Sequence, residues 1–183
     1  MKRSSYLKEI RGLASVEMTI IVPILMIIMV GIFELTQIIQ ANNIIISISR
    51  EGANLISRNT TQTPEQVMNT VASTADPLDL EADGIIYVNL VYGRAEGEAP
   101  QLLEQYRWAS YGYSANSSTW NGCDTWGSDG ECDLPESEPE LSDFPLELDE
   151  GEAVYVVEVI YRYSPISTYI FDSDITIKEL TYL

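Results

Sequence analysis

The chain has 183 residues, which is room for one compact domain plus one appended element. Histidine is absent and only two cysteines occur, so His-based catalytic triads, His general bases and His/Cys zinc sites are excluded. The formal net charge of −18 at pH 7 argues against nucleic acid as a partner, because phosphate backbones are bound by clusters of Lys and Arg. A hydrolase that uses paired carboxylates would have many Asp and Glu residues to draw on, but they form no constellation at a defined spacing, so we expect no catalytic residues, no cofactor and no bound metal.

The few basic residues are concentrated at the N-terminus. Lys2, Arg3, Lys8 and Arg11 lie within the first twelve residues, which contain one acidic residue, Glu9. The other six basic residues are spread over the rest of the chain. We therefore interpret residues 1–12 as a basic leader. The chain without this leader is more acidic still.

A membrane-length apolar segment follows the leader. Residues 13–35 read LASVEMTIIVPILMIIMVGIFEL, close to the roughly 20 residues that cross about 30 Å of hydrocarbon as a helix. The basic flank predicts that the N-terminus stays in the cytoplasm and that everything after Leu35 is exported. A buried helix of a soluble protein is the alternative.

The position of the candidate processing site is unusual. A secretory signal is cut after its apolar region, at small residues in an A-x-A-like pattern, and no such pattern follows Phe33. The candidate site is Gly12, before the apolar region, where a missing side chain lets the backbone enter a tight protease cleft. Cleavage there would make Leu13 the first residue of the mature chain.

Two stretches carry a family resemblance. The string KEIRGLASVE, with Glu17 at the fifth position after Gly12, resembles the type IV prepilin signal, which a membrane aspartyl peptidase cuts after the glycine. Residues 12–58 resemble the TadE-like pseudopilins of tight-adherence (Tad) pilus systems. The motifs that match are Val16-Glu17, Ile21-Val22-Pro23, Gly31-Ile32-Phe33-Glu34, Ser49-Arg50-Glu51-Gly52-Ala53 and the late segment YVVEVIYRYSP at 155–165.

The resemblance implies a minor pilin that is structural rather than catalytic. Its expected partners are the prepilin peptidase, other pilins and pseudopilins, and the pilus assembly platform in the bacterial inner membrane, and its expected role is assembly of a pilus for surface adhesion. Leu13 and Met18 depart from the usual pattern and leave N-terminal methylation open. Residues 94–152 match nothing in the family. The alternative is an uncleaved, single-pass anchored binding or sensor domain.

Glu17 is the candidate assembly residue. A charged side chain at the centre of a bilayer costs about 2.5 to 3.5 kcal/mol on insertion scales, so it needs a partner. Cleavage after Gly12 creates an amine on Leu13, which can pair with Glu17 of the same or a neighbouring subunit. The alternative is that Glu17 lies in the headgroup region without pairing.

Beyond the membrane the pattern predicts an α+β domain, with the first helix continuing through residues 36–58. A second helix is predicted from Pro64 to about Ala75, with Thr63 as its cap. Predicted strands cover 85–92, 107–113, 153–163 and 175–182, and form an antiparallel sheet against the long helix. The domain, residues 59–183, contains an acidic irregular insertion at about 114–152, whose composition is typical of a mobile surface loop.

The insertion holds the two cysteines and two of the three tryptophans. Cys123 and Cys132 are predicted to form a disulfide, because both lie on the exported side and bracket a turn-forming sequence, DTWGSDGE. A cation site near Asp124 and Asp129 is an alternative use of the local acidic residues, although the spacing does not match a calcium-binding loop. Trp120 and Trp126 are interpreted as loop anchors, with a sugar-binding platform as the alternative.

Overall fold

The computed structural model describes the backbone of residues 3–58, 61–166 and 172–183, and the side chains within those ranges from Val16 onward. The elements in chain order are α1 (Arg3–Arg58), α2 (Pro64–Ala72), α3 (Leu80–Asp83), β1 (Gly84–Tyr92), β2 (Gln101–Arg107), β3 (Ala153–Tyr163) and β4 (Ile175–Tyr182). A long N-terminal helix, short helices and a four-stranded antiparallel sheet confirm the predicted α+β class.

Helix α1 contains 56 residues and is about 84 Å long at 1.5 Å per residue. It begins at Arg3, ten residues before the predicted start, and continues past Pro23 and Gly52. Each of its buried residues lies three, four or seven residues from another one, which is the spacing of one helix face. They are Glu34, Ala41, Ile45, Ile48, Ser49, Gly52, Ala53 and Ile56.

Helix α2 begins with the predicted capping box. The backbone N–H of Gln66 donates to Thr63 Oγ1, and the Gln66 side chain accepts from the backbone N–H of Thr63. This arrangement satisfies two N–H groups that a helix start otherwise leaves without partners. The helix ends at Ala72, three residues earlier than predicted, and α3 was not predicted.

The sheet has the order β2-β1-β3-β4, and all three pairings are antiparallel. Predicted strands 85–92, 153–163 and 175–182 correspond to β1, β3 and β4. The predicted strand 107–113 is wrong, because the strand at this edge ends at Arg107. Trp108 leaves the sheet and is 1% exposed, and its indole Nε1–H donates to Asn69 Oδ1 of α2 over 2.8 Å.

The two central strands are buried on both faces. Alternate residues of β1 and β3, among them Ile86, Val88, Val157 and Val159, pack on the side of α1. The residues between them, among them Ile85, Val91, Val156 and Ile160, pack against side chains of the segment that connects β2 to β3. Residues 113–148 therefore form a third layer over the sheet, and the helices form the first.

A buried carboxylate fastens this third layer to the sheet. Glu158 of β3 is 0% exposed and accepts hydrogen bonds from Ser117 Oγ (2.7 Å), Ser118 Oγ (2.6 Å) and the backbone N–H of Ser118 (2.9 Å). Lys178 Nζ of β4 donates to Ser118 Oγ over 2.6 Å. A buried charge needs this degree of hydrogen bonding, so the segment around Ser117 is held in one place.

Gly52 allows α1 to lie close to β3. A Cβ atom at this position would lie 3.2 Å from Val157 Cγ1 and 3.9 Å from Val71 Cγ1. Gly52→Leu should therefore force the helix from the sheet and lower the free energy of unfolding by about 1 to 3 kcal/mol, the usual effect of overpacking. Thermal unfolding of the full chain in lipid nanodiscs, followed by circular dichroism, measures this change.

The matched control places the same leucine one residue earlier. Glu51 is exposed, so Glu51→Leu should change the free energy of unfolding by no more than about 0.5 kcal/mol. Equal stability of the two variants would show that the helix and the sheet tolerate a side chain between them.

Candidate functional site: the membrane anchor and its junction with the domain

The first half of α1 presents apolar side chains that the chain itself leaves uncovered. Residues 16–33 are exposed apart from the half-buried Gly31, and Ile27 and Met29 are 65% and 66% exposed. Within the described residues, one helix, Val16–Arg58, is long and apolar enough to cross a membrane, and its most apolar window is not buried at all. An apolar surface of this extent is unfavourable in water, so it needs lipid or other subunits around it.

The predicted cleavage site lies within α1. The backbone at Gly12 and Leu13 is helical, and the side chains of both residues lie outside the described part of the chain. Leu13 and Glu17 are four residues apart, which places them one turn apart on the same side of the helix. The Glu17 side chain is exposed, and none of the four ion pairs in the described part of the chain includes it.

Glu34 marks the end of the exposed segment and the start of the domain. It is 1% exposed, and its Oε1 accepts hydrogen bonds from Tyr163 O–H (2.8 Å) and from the backbone N–H of Ile166 (3.1 Å). Tyr163 is the last residue of β3. The carboxylate thus ties the end of the sheet to the helix turn at which the apolar segment stops, and no spacer separates anchor from domain.

The tyrosine at this junction keeps its proton over a wide pH range. Burial, and next the Glu34 carboxylate that accepts its hydrogen bond, raise the pKa of Tyr163 to about 12. The hydroxyl therefore remains a donor to Glu34 at any physiological pH.

Further along the helix, the motif at residues 49–53 docks α1 on the sheet. The Ser49 hydroxyl donates to the Val157 carbonyl oxygen over 2.9 Å and lies 2.8 Å from Thr181 Oγ1. Ala53 is 0% exposed, and Gly52 provides the close approach described above. The motif that carries the family resemblance is therefore, at these positions, a helix-to-sheet contact.

The two cysteines are joined in a disulfide, with their Cα atoms 6.0 Å apart. The bond closes a loop of the third layer, and within that loop Gly127 N–H donates to Glu131 O over 2.7 Å. In the described part of the chain, no group of three or more Asp, Glu, Cys or His side chains could hold a metal ion. The cation hypothesis near Asp124 and Asp129 therefore has no cluster to support it.

Glu34 is the residue of the site whose role sequence reasoning missed. In the sequence it is the last residue of the motif Gly31-Ile32-Phe33-Glu34, near the end of the predicted membrane segment. The signal was its position on the helix, because Glu34 lies seven residues before Ala41 and eleven before Ile45, on the face that packs against the domain. An acidic residue on the face that leads into a core needs a partner from that core.

The junction can be tested by removing one hydroxyl group. Tyr163→Phe keeps the ring but deletes a donor to the buried Glu34 carboxylate, and should lower the free energy of unfolding by about 1 to 3 kcal/mol. Tyr155→Phe is the control, since Tyr155 is a half-buried residue of the same strand whose hydroxyl has no hydrogen-bond partner among the described residues. Chemical denaturation of the full chain, followed by tryptophan fluorescence, measures both; equal losses would show that the Glu34 contact contributes nothing.

Comparison with known proteins agrees with this geometry over the N-terminal helix. Residues 12–54 match the family model described as TadE-like protein, a stretch that begins at the predicted cleavage glycine and includes Glu17, Glu34 and the docking motif at 49–53. No curated protein and no solved structure matches the chain. The resemblance predicted from the sequence is confirmed over residues 12–54, and this chain is similar there to TadE-like proteins, the family of the Tad pilus system.

Proposed function

We propose that this chain is a minor pilin, or pseudopilin, that acts in the assembly of a Tad-type pilus for surface adhesion. In this proposal a prepilin peptidase cuts the precursor after Gly12. The mature chain is held in the bacterial inner membrane by α1, with its N-terminus at the cytoplasmic side, and the domain lies outside the cytoplasm. Its role is structural rather than catalytic, and its partners are other pilins and the assembly platform.

The observation that carries the proposal is the division of one continuous helix into two environments. Residues 16–33 leave their apolar side chains uncovered, whereas from Glu34 onward one face of the same helix is buried by the domain. Lipid can cover the first half before assembly, and apolar helices of neighbouring subunits can cover it afterwards. A helix of this kind is suited to move from a bilayer into a filament without refolding.

The far side of the docked half supports the same proposal. Ile39 is 60% exposed although it lies beyond the predicted membrane segment, and Asn43 and Ser47 are exposed along the same part of the helix. This side of α1 is free of the sheet and remains available to other subunits. We therefore place the contacts with neighbouring pilins along α1, from the membrane to about Ser47.

Two further observations favour an exported domain. The leader carries a net positive charge, which stays on the cytoplasmic side of a membrane. The disulfide between Cys123 and Cys132 belongs to an oxidising compartment. Together they support the predicted orientation of the chain, with residues 36–183 on the side opposite the leader.

The first test concerns processing. The mature protein should begin at Leu13, and Gly12→Leu should leave it at full length, because a bulky side chain blocks the peptidase cleft. Intact mass spectrometry of protein extracted from the membranes of cells that contain the peptidase measures whether the first twelve residues have been removed. Ser5→Leu, a change of the same kind elsewhere in the leader, should be cut normally. An intact N-terminus in the wild-type chain would falsify the proposal and favour an uncleaved anchored domain.

The second test concerns Glu17. Glu17→Ala should still be cut after Gly12, but the fraction of the protein incorporated into the pilus should fall at least about tenfold. The reason is that the new Leu13 amine loses the carboxylate with which it pairs in an apolar surrounding. Immunoblots of sheared pili against membrane fractions measure the ratio, with Met18→Leu as the neighbouring control. Normal incorporation of Glu17→Ala would mean that this carboxylate rests in the headgroup region and has no role in assembly.

A further inference from the structure

Glu34 lies close to the point at which the anchor leaves a bilayer. Within the continuous helix α1, the rise to Glu34 is about 32 Å from Leu13, the first residue of the proposed mature chain, and about 26 Å from Glu17. The hydrocarbon of a bilayer is about 30 Å thick, and any tilt of the helix shortens the distance that it spans. With either residue at the cytoplasmic boundary, Glu34 lies within a few ångströms of the outer boundary of the hydrocarbon.

No exposed charge keeps this part of α1 away from lipid. Between Glu34 and Arg50 the helix contains no charged residue, and Leu35 and Ile39 are 53% and 60% exposed. Glu34 itself is buried and hydrogen-bonded, which lowers the cost of a carboxylate beside hydrocarbon. The headgroup layer, about 5 to 8 Å thick on each side of a bilayer, therefore surrounds the part of the domain that lies level with Glu34.

The sheet lies beside α1 with one end toward the membrane. Strand β3 meets the helix at two described hydrogen bonds, from Tyr163 to Glu34 and from Ser49 to the Val157 carbonyl oxygen. The two helix positions are about 22 Å apart along the helix, and the two strand positions are about 20 Å apart along the strand. Strand β3 therefore runs antiparallel to α1 and nearly in line with it. Tyr163 and the residues directly after it form the membrane-proximal end of the sheet.

Ile166 lies at this end with its side chain uncovered. Its backbone N–H is 3.1 Å from Glu34 Oε1, and helix side chains point back toward the N-terminus of their helix, which here is the membrane side. The Ile166 side chain is 71% exposed, more than any other large apolar side chain of the described residues. A single exposed isoleucine is ordinary on a protein surface in water, but this one lies at the level of the lipid headgroups.

We propose that the domain rests on the outer surface of the bilayer through Pro165 and Ile166, with the Ile166 side chain among the inner parts of the headgroups. This contact rests on the membrane anchor of the proposed function and adds a second attachment to it. The depth is limited by two charged groups nearby, Arg162 and Asp174, whose closest nitrogen and oxygen atoms are 3.9 Å apart and which a headgroup layer accommodates. Two attachments fix the direction in which the domain faces before assembly.

Nitroxide labels can measure this contact, because both native cysteines are joined in the disulfide and one added cysteine is the only free thiol. Ile166→Cys is compared with Met26→Cys, in the exposed anchor, and with Leu183→Cys. The backbone of Leu183 pairs with Tyr155, which is about 26 Å from Tyr163 along β3. Each full-length variant is labelled and placed in lipid nanodiscs, and its accessibility to oxygen and to a nickel chelate is measured by power-saturation electron paramagnetic resonance.

The ratio of oxygen accessibility to nickel accessibility rises with depth, because the polar chelate is excluded from lipid. For Ile166→Cys this ratio should be at least about twofold above that for Leu183→Cys, and it should stay below that for Met26→Cys. The Ile166→Cys ratio should increase from dilauroyl to dioleoyl to dierucoyl phosphatidylcholine, because a thicker bilayer reaches further along α1. The Leu183→Cys ratio should not change.

The three labels separate this proposal from the proposed function. Equal ratios for Ile166→Cys and Leu183→Cys, with Met26→Cys in lipid, would show that the domain lies clear of the bilayer and would overturn this proposal alone. Low accessibility of Ile166→Cys to both reagents would mean that protein, such as a second copy of the chain, covers this position instead of lipid, which also overturns it. A water-like ratio for Met26→Cys would overturn the membrane anchor, and with it the proposed function.

Discussion

A single uninterrupted helix has to satisfy two environments at once, and the rest of the structure depends on this constraint. Its first half exposes apolar side chains all round, as a membrane segment does, and its second half is amphipathic, as a helix on a sheet must be. The change occurs within one turn, at Glu34. A carboxylate is suited to this place because it accepts hydrogen bonds from the end of β3 and ends the apolar surface.

The two central strands of the sheet are also buried, and on both faces. Strands β1 and β3 are covered by α1 on one face and by residues 113–148 on the other, which explains why both read as nearly continuous apolar sequences and not as clean alternations. The connecting segment has little regular structure of its own and is fastened by side chains instead. Glu158 holds it at Ser117 and Ser118, and the disulfide closes the loop from Cys123 to Cys132 within it.

The sequence predicts the elements that have strong local signals. The apolar segment, the capping box at Thr63 and the β-branched strands 85–92 and 153–163 were all found at or close to their predicted bounds. The edge strand β2 was missed because Gln101, Glu104 and Gln105 make it polar, and because its burial comes from distant parts of the chain. The roles of Glu34 and Glu158 depend on partners between 40 and 132 residues away, which no local pattern reveals. The cleavage and pairing roles of Gly12 and Glu17 stay predictions.

The contact between Ser49 and Thr181 joins positions 132 residues apart, and it bears on the order in which the chain matures. Synthesis runs from the N-terminus, so the anchor leaves the ribosome first and the strand that holds its outer half leaves last. Helix α1 packs on β3 and β4, which are the last two strands in chain order. The outer half of the helix therefore cannot complete its docking until β4 has been synthesised, and a product that stops before β4 has the apolar segment without a finished sheet.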